Sequence, residues 1–415
     1  MPPVSSSSHR SDAWLTLRVF LPFVAGYYVS YAFRSINALL GPHITAELDL
    51  GAADLGLLTS VYFLAFALAQ IPMGVLLDRY GPRRVDAVLL LVATAGAFAF
   101  ARAPSFGFLI LGRALVGLGV SVCLMSSFQA FALWYPKERL ATINSRAFAV
   151  GILGAVTVTV PLEMALRAID WRTIAVFFAL AALAASAAVF YAAPERRRVA
   201  APDSLAVALG GVRALIADAA FRRTVVMVSA SQCAAMSLGT LWIATWLRDV
   251  AGYDPVQVGR GLLVVNATLI AGYLAFGRLA ELRARRGASI LPLIAGGVGT
   301  ASLCLAVLAL GVTTGALALW AAFTFSSSAA TLAYALLLRR FPAEMAGRLN
   351  TTVNSFVFLA MFLGQWLVGL VLELWPRSGA GYAPQAYHWG LGALWLLQLA
   401  GLAWFWRGRR LFANW

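Results

Sequence analysis

The sequence predicts an all-α membrane protein in which twelve transmembrane helices form two six-helix bundles. Hydrophobic residues make up 61% of the chain, charged residues make up only 12%, and the mean hydropathy is +0.81. The apolar residues fall in long runs, each close to the ~20 residues that a helix needs to cross a bilayer. The runs show no alternation with a period of two, so they do not resemble the strands of a membrane β-barrel.

The bounds of the spans follow from the apolar runs, because a single segment in lipid can satisfy its own backbone only as a helix. We place the spans near residues 14–39, 54–77, 84–101, 106–133, 142–166, 173–193, 223–247, 257–278, 288–311, 314–338, 349–373 and 388–406. The predicted domains are an N-terminal bundle at 1–193, a linking loop at 194–222 and a C-terminal bundle at 223–415. Within the loop, residues 205–216 form a weakly amphipathic stretch.

Arginine is concentrated in the even-numbered loops, which sets the predicted topology. The loop after span two carries Arg79, Arg83 and Arg84, whereas the first loop, placed at 41–53, has Glu47 and Asp49 and no basic residue. The positive-inside rule then makes both termini cytoplasmic. Nearly every basic side chain is an arginine, which hints at a GC-rich bacterial genome and therefore at a bacterial inner membrane. The protein is expected to be a monomer.

Several other classes of protein fit the composition poorly. The net charge is +15, but the basic residues lie in short loops and form no stripe interleaved with aromatic residues, so no nucleic-acid partner is expected. The three cysteines and three histidines are scattered without the spacing of metal ligands. No glycine-rich segment ends as a nucleotide-binding loop does. We therefore expect no metal, no cofactor and no enzymatic activity.

A patterned loop follows span two. Its G-x-x-x-D-R-x-G-x-R-R pattern is formed by Gly74, Asp78, Arg79, Gly81, Arg83 and Arg84. This pattern resembles the loop signature of the major facilitator superfamily, with Pro82 where an arginine is usual, and the resemblance extends over all twelve spans. It implies alternating-access transport, with Asp78 pairing to arginines across the cytoplasmic gap to stabilise an outward-open state. Gly74 is expected to let two helices approach closely. The alternative is a solvated loop whose charges only set the topology.

The second half repeats this loop in weaker form. Glu281 follows Asp78 by 203 residues and is preceded by Gly277 four positions earlier. A second pair, Pro136-Lys-Glu138 and Pro342-Ala-Glu344, is separated by 206 residues. Two matches at nearly one offset indicate a parallel repeat of the two bundles, as in this superfamily.

Two further patterns lie in spans four and five. Arg113 begins an R-x-x-x-G-x-G pattern that is similar to one in the family, where the arginine has a structural or proton-coupling role. An arginine inside a span needs partners or water, and both roles remain open for it here. The glycines of span five only loosely resemble the signature of drug antiporters, and close helix packing is the preferred interpretation.

Span one carries the most informative group of polar side chains. Tyr27, Tyr31 and Arg34 are spaced i, i+4, i+7 and therefore share one face of a helix. Arg34 lies one to two turns outward of the middle of the span, from where its side chain could also reach the outer surface. A guanidinium binds carboxylate or phosphate in a bidentate manner. The Tyr-x-x-Arg pattern also resembles the anion-binding helix of organic-anion and organophosphate members of the superfamily.

Weaker candidates for the substrate site lie in the C-terminal half. Gln232, Asn266 and Asn354 are polar residues within spans seven, eight and eleven, although such residues often only bond to neighbouring helices. Trp242 of span seven is a further candidate, and the alternative is that Trp242 and Trp246 belong to the outer aromatic belt.

These residues favour secondary transport of a small organic anion. Span seven has no arginine facing Arg34, so a two-arginine clamp for phosphate is not expected. A single positive charge suits a monocarboxylate or a similar small anion better. Efflux of amphipathic compounds is the alternative within the same fold, and a membrane-embedded enzyme or receptor is the alternative from another class.

Protons are the expected coupling ion. The acids singled out in the spans are Glu163 and Glu373, and Glu163 is preferred because it is deeper, although a solvated glutamate at a helix end is an equally good interpretation.

Overall fold

The computed structural model of the chain describes residues 12–136, 139–195, 205–342, 345–376 and 381–412. Within these residues, 12 helices are long and apolar enough to cross a membrane, and the predicted all-α fold is confirmed. The central residues of the second repeat pair, Lys137, Glu138 and Glu344, lie outside the described residues, and so does the part of the linking loop at 196–204.

The observed spans agree with the predicted ones to within a few residues at most ends. They are Asp12–Ser35, Ala52–Tyr80, Pro82–Ala101, Phe106–Trp134, Thr142–Leu166, Trp171–Ala192, Ala219–Asp249, Pro255–Arg285, Leu291–Ala309, Ala316–Arg340, Gly347–Leu372 and Pro384–Arg407. The amphipathic stretch of the linking loop is a helix at Leu205–Ala217, and span seven begins at Ala219, four residues before the expected start of the second domain.

The segment after span one differs from the prediction. A further helix, Asn37–Leu48, follows span one after one residue and contains Pro42, so the first loop is far shorter than the expected 41–53. Asp49, with a φ of 48°, ends this helix in the left-handed region. Glu47 accepts hydrogen bonds from the Arg172 Nη2 and Trp171 Nε1 atoms, each at 2.6 Å. These hydrogen bonds hold the pKa of the Glu47 carboxyl below its usual value.

The two halves use the same helix pairs. Span one packs on span five as span seven packs on span eleven, and spans two and four pack as spans eight and ten do. Span three packs on span six as span nine packs on span twelve. The halves meet through spans two and eleven and through the equivalent spans five and eight. This arrangement confirms two six-helix bundles related by a parallel repeat.

The two ends of the bundle differ in charge. We call the end with the Arg79–Arg84 loop the arginine-rich end, and the end with the loop at 49–51 the arginine-poor end. The linking helix Leu205–Ala217 lies at the arginine-rich end and packs on spans two and eleven. Its Gly211 lies against the Arg348 side chain, so this helix contacts the start of span eleven.

The topology can be tested with single cysteines, because Cys123, Cys233 and Cys304 are all buried. Ser105 and Arg286 are exposed residues in loops at opposite ends of the bundle. The loop arginines predict that Ser105→Cys reacts with a membrane-impermeant maleimide in intact cells. Arg286→Cys should react only after the membrane is made permeable.

The unmodified protein serves as the control for labelling of native cysteines. The reverse pattern, with Arg286→Cys labelled in intact cells, would show that the termini are not cytoplasmic.

Candidate functional site: an arginine between two aromatic faces

Arg34 is enclosed by the bundle and does not reach the surface. Its side chain is 9% exposed, and its Nε atom has no hydrogen-bond partner among the described residues. In the same part of the chain, no carboxylate forms an ion pair with it. A guanidinium in an apolar span is costly unless something compensates its charge. In this conformation the Arg34 side chain therefore does not extend to the outer surface.

Aromatic rings supply part of that compensation. The Arg34 Cζ atom lies 4.7 Å from the Tyr31 ring centroid, 5.3 Å from that of Phe358 and 5.6 Å from that of Phe66. The Phe66 and Phe358 rings are 4.1 Å apart and come from spans two and eleven, one from each bundle. A cation over an aromatic face gains about 0.5–2 kcal/mol. The ring faces stabilise the charge without accepting hydrogen bonds in the plane of the guanidinium, and the Nε–H donor is left without a partner in the described part of the chain.

Tyr27 and Tyr31 share a face with Arg34, as the spacing predicted, but they have different surroundings. Tyr31 lines a small cavity together with Arg34. Tyr27 is 3% exposed and packs against Gly151 of span five, with its ring edge-to-face on Tyr31 at 5.1 Å. Tyr27 thus lies behind Tyr31 and supports that ring, and it is not among the residues that line the cavity beside Arg34.

The cavity beside Arg34 lies between the two bundles and has a volume of about 40 Å³. From the C-terminal half, Asn266 and Tyr273 of span eight contribute to its wall, together with Thr240 and Thr324. The Asn266 amide donates to the Leu262 carbonyl at 2.8 Å, which fixes its orientation. Tyr273 was missed in the sequence, although it follows Asn266 by seven residues and the same-face spacing could have found it.

The other two C-terminal candidates have more structural surroundings. Gln232 is 8% exposed and lies beside Tyr273, at the edge of the same site. Asn354 accepts a hydrogen bond of 2.8 Å from the Tyr334 hydroxyl, which joins spans ten and eleven. Neither residue is among those that line the cavity beside Arg34.

Arg113 links span four to span one next to Arg34. Its Nη1 atom donates to the Phe33 carbonyl at 2.9 Å, and its guanidinium lies 5.2 Å from the Tyr62 ring centroid. Gly117 packs against the Tyr62 backbone, so the glycine of the R-x-x-x-G pattern brings spans four and two together. The hydrogen bond fixes the backbone of the residue that precedes Arg34, as a structural role of Arg113 requires, and the coupling role stays a prediction.

Glu163 lies apart from Arg34, near the arginine-poor end. It is 3.8 Å from Arg167 one turn later in span five and lines a separate cavity of about 190 Å³. His43 and Arg248 face the same cavity. The structure therefore does not bring the preferred coupling acid together with the candidate anion site.

In the loop after span two, several of the charges are held within the N-terminal half. Asp78 accepts a hydrogen bond of 3.1 Å from Gln129, Arg83 donates to the Phe190 carbonyl at 2.8 Å, and Arg84 pairs with Glu195 at 2.9 Å. Arg79 lies 5.3 Å from the ring of the neighbouring Tyr80.

Two glycines of this loop differ in how far the structure requires them. Gly81 has a φ of 81°, which explains a glycine at the turn. A Cβ at Gly74 would meet no described atom within 4 Å, so the close helix approach expected there is absent from this conformation. In the second half, Glu281 pairs with Arg278 and Arg285 of its own helix, at 2.8 and 2.5 Å.

The bundles close against each other at the arginine-poor end. A Cβ added at Gly56 of span two would lie 3.0 Å from the Gln365 carbonyl and 3.4 Å from Gly369 of span eleven. Gly369 itself packs on the Ala52 carbonyl. Trp242 is fully buried at this contact and donates to the Gln365 carbonyl at 3.1 Å, and Trp246 is also fully buried. The alternative in which these tryptophans lie in the outer aromatic belt is therefore wrong.

Comparison with known proteins identifies the family. A family model described as the Major Facilitator Superfamily matches residues 23–365. The chain belongs to the major facilitator superfamily. Superfamily membership together with the twelve spans makes it a multi-pass membrane transporter of small molecules and not an enzyme.

Curated relatives within the superfamily are named as transporters of several solutes, many of them anions. The chain is 27% identical over 303 residues to the "Probable sulfoacetate transporter SauU" of Cupriavidus necator, covering 65% of this chain and 68% of that protein. It is 30% identical over 125 residues to the "Probable galactarate/D-glucarate transporter GudP" of Pseudomonas putida, covering 28% of this chain and 27% of the relative. The "Nitrite extrusion protein" of Bacillus subtilis is 25% identical over 180 residues, 43% of this chain and 44% of the relative.

Solved structures show the same fold. A bacterial homolog of the human lysosomal transporter Spinster, in an inward-facing and unoccupied conformation, has a TM-score of 0.75 at 16% identity, covering 97% of this chain and 98% of that one. The nucleoside transporter NupG has a TM-score of 0.73 at 15% identity, covering 93% of this chain and 98% of its own. At these identities the likeness concerns the fold alone.

The closure at the arginine-poor end can be tested by enlarging Gly369, where a side chain has no space. Spin labels at Ala46 and Arg260, exposed residues of the two bundles near this end, report the separation of the bundles by pulsed electron resonance. Gly369→Leu should lengthen this distance because a leucine cannot fit against the Ala52 carbonyl.

Gly392→Leu is the matched control, because a Cβ at Gly392 meets no described atom within 4 Å. Equal distances in Gly369→Leu and in the parent protein would contradict the closure described above.

Proposed function

We propose that this member of the superfamily is a secondary active transporter of a small organic anion, with Arg34 as the main charge that binds the substrate. The observation that carries the proposal is a buried guanidinium that lines a cavity between the bundles and has no ion pair with a carboxylate among the described residues. A bound anion would complete the compensation that the aromatic rings begin. Uptake of cations through the same site is disfavoured by that positive charge.

The surroundings of Arg34 favour one kind of anion. A carboxylate or sulfonate group could accept hydrogen bonds from the guanidinium, and the Tyr31 and Tyr273 hydroxyls can donate to its oxygens. The two nearest basic residues of span seven, Arg223 and Arg248, lie towards opposite ends of the helix, so a two-arginine clamp for phosphate is not formed here. The anionic solutes named for several relatives agree with this class. Gln232 and Asn266 would then contact the uncharged part of the substrate.

Transport would proceed by rocking of the bundle at 1–193 against the bundle at 223–415, joined by the segment at 194–222. Phe66 and Phe358 contact Arg34 from opposite bundles, so an anion bound to Arg34 would change the contacts of this side chain with each bundle. The loop with Gly74, Asp78 and Gly81 would stabilise the opposite conformation, in which the arginine-rich end is closed. Proton coupling through Glu163 stays a prediction.

Binding to Arg34 can be tested with purified protein and a panel of sulfoacetate, glucarate, acetate, lactate and nitrate. Any anion that raises the melting temperature is then titrated against variants. Arg34→Ala should raise the dissociation constant of that anion by about 10- to 100-fold, the range expected when a hydrogen bond to a charged group is lost. Arg34→Lys should restore only part of the affinity because it keeps the charge without the bidentate geometry.

Arg102→Ala is the matched control, since Arg102 is an exposed arginine of the same bundle. All variants must stay monodisperse in detergent. An affinity of Arg34→Ala equal to that of the parent would refute the assignment of the site.

A further inference from the structure

A carboxylic acid that the anion site does not use lies inside the N-terminal bundle. Asp86 is in the first turns of span three, which begins at Pro82, and its side chain is 0% exposed. The acids singled out from the sequence, Glu163 and Glu373, do not include Asp86. Burial makes Asp86 a different kind of group from either of them.

Asp86 faces the junction of spans one, three and four. Its Oδ2 atom lies 3.7 Å from the position of a Cβ at Gly26 of span one, and the Cys123 Sγ atom of span four lies 3.7 Å from the same position. Neither carboxyl oxygen of Asp86 has a hydrogen-bond partner in the described part of the chain, and its polar neighbours are the Ser126 hydroxyl and the Cys123 thiol. The neighbouring Ser126 hydroxyl donates elsewhere, to the Cys123 carbonyl at 3.1 Å.

The charged groups of the adjoining helices are engaged elsewhere. On its own helix, Arg83 donates to the Phe190 carbonyl and Arg84 pairs with Glu195. On span two, Asp78 accepts from Gln129 and Arg79 lies over Tyr80.

Uncharged groups complete the surroundings of Asp86. On span six, the Ser186 hydroxyl donates to the Ala87 carbonyl at 2.7 Å. On span four, the Cys123 thiol lies beside Asp86, whereas Arg113 donates to the Phe33 carbonyl. No ion pair of Asp86 is present within the described residues.

A carboxylate in these surroundings would be desolvated and would lack a charged partner, both of which disfavour the ionised form. The neutral acid avoids both of these costs. We propose that Asp86 is a proton-binding site of the transporter, occupied in the conformation closed at the arginine-poor end and emptied when the bundles rearrange. This inference rests on the transporter function but not on Arg34 or on the charge of the substrate.

The position of Asp86 suggests how loss of the proton would affect the helices. The helix of span four is interrupted between Gly119 and Cys123, directly before the residues that face Asp86. An anionic Asp86 would need donors or water, and the Ser126 hydroxyl could turn towards it from the Cys123 carbonyl, with the Cys123 thiol as a second donor. The proton would leave to water on one side of the membrane and be replaced from the other. A proton moved with an organic anion would also offset its charge.

A sodium ion is the alternative occupant that the test must separate. Hard cations in proteins favour several oxygen ligands, and the surroundings of Asp86 offer the two carboxyl oxygens and one serine hydroxyl beside a thiol. The chemistry of these donors favours a proton.

The test uses the spin-labelled full-length protein and needs no substrate, so that it can fail independently of the anion proposal. The distance between labels at Ala46 and Arg260 is measured from acidic to alkaline pH, with choline replacing sodium in a parallel series. The parent protein should populate the short distance at acidic pH and shift to longer distances as the pH rises. Asp86→Asn, which mimics the protonated acid, should lose this shift and keep the short distance.

Further variants make the result decisive. Asp86→Glu should retain a pH-dependent shift, and Glu163→Gln should shift as the parent does. Infrared difference spectra between acidic and alkaline pH should contain a carboxylic acid carbonyl band that is lost in Asp86→Asn, a readout that a merely structural aspartate would not give. The proposal is overturned if the parent shows no shift, if Asp86→Asn keeps it, if Glu163→Gln abolishes it, or if the shift requires sodium.

Discussion

The cost of holding the Arg34 charge inside an apolar bundle shapes the centre of this protein. Water is largely excluded from the guanidinium, so the surrounding residues must compensate its charge. They do so with ring faces from both bundles and with the supported ring of Tyr31. Because these groups leave the N–H donors of the guanidinium incompletely satisfied, the centre of the protein is suited to the reversible binding of an anion.

Small residues determine how closely the bundles can approach around this charge. Gly56 and Gly369 allow spans two and eleven to cross at the arginine-poor end, where Trp242 fills the remaining space. Gly117 allows span four to reach span two, which places Arg113 against the carbonyl that precedes Arg34. The packing of the helices and the position of the binding charge are therefore linked through a few glycines.

The sequence alone was sufficient for the spans, the repeat and the Tyr31–Arg34 face, because run length, loop arginines and helical spacing are local properties. It was insufficient wherever the answer depended on which helix lies opposite. Trp242 and Trp246 look like belt residues until span eleven and span ten are placed against them. Tyr273 and Asp86 have neighbours that come from distant segments. The helix after span one was missed since Pro42 and the polar residues near it are typical of a loop.

The central claim is that an anion binds at Arg34 between Tyr31 and Tyr273. The most direct measurement is a crystal structure of the protein with a brominated carboxylate, such as bromoacetate, in which anomalous scattering locates the bromine. If the anion binds at Arg34, a bromine peak is expected in the cavity beside Arg34, with the carboxylate within hydrogen-bond distance of the guanidinium. This peak should be lost in Arg34→Ala. A peak found instead in the cavity of Glu163 and Arg248, or one unchanged in Arg34→Ala, would contradict the claim.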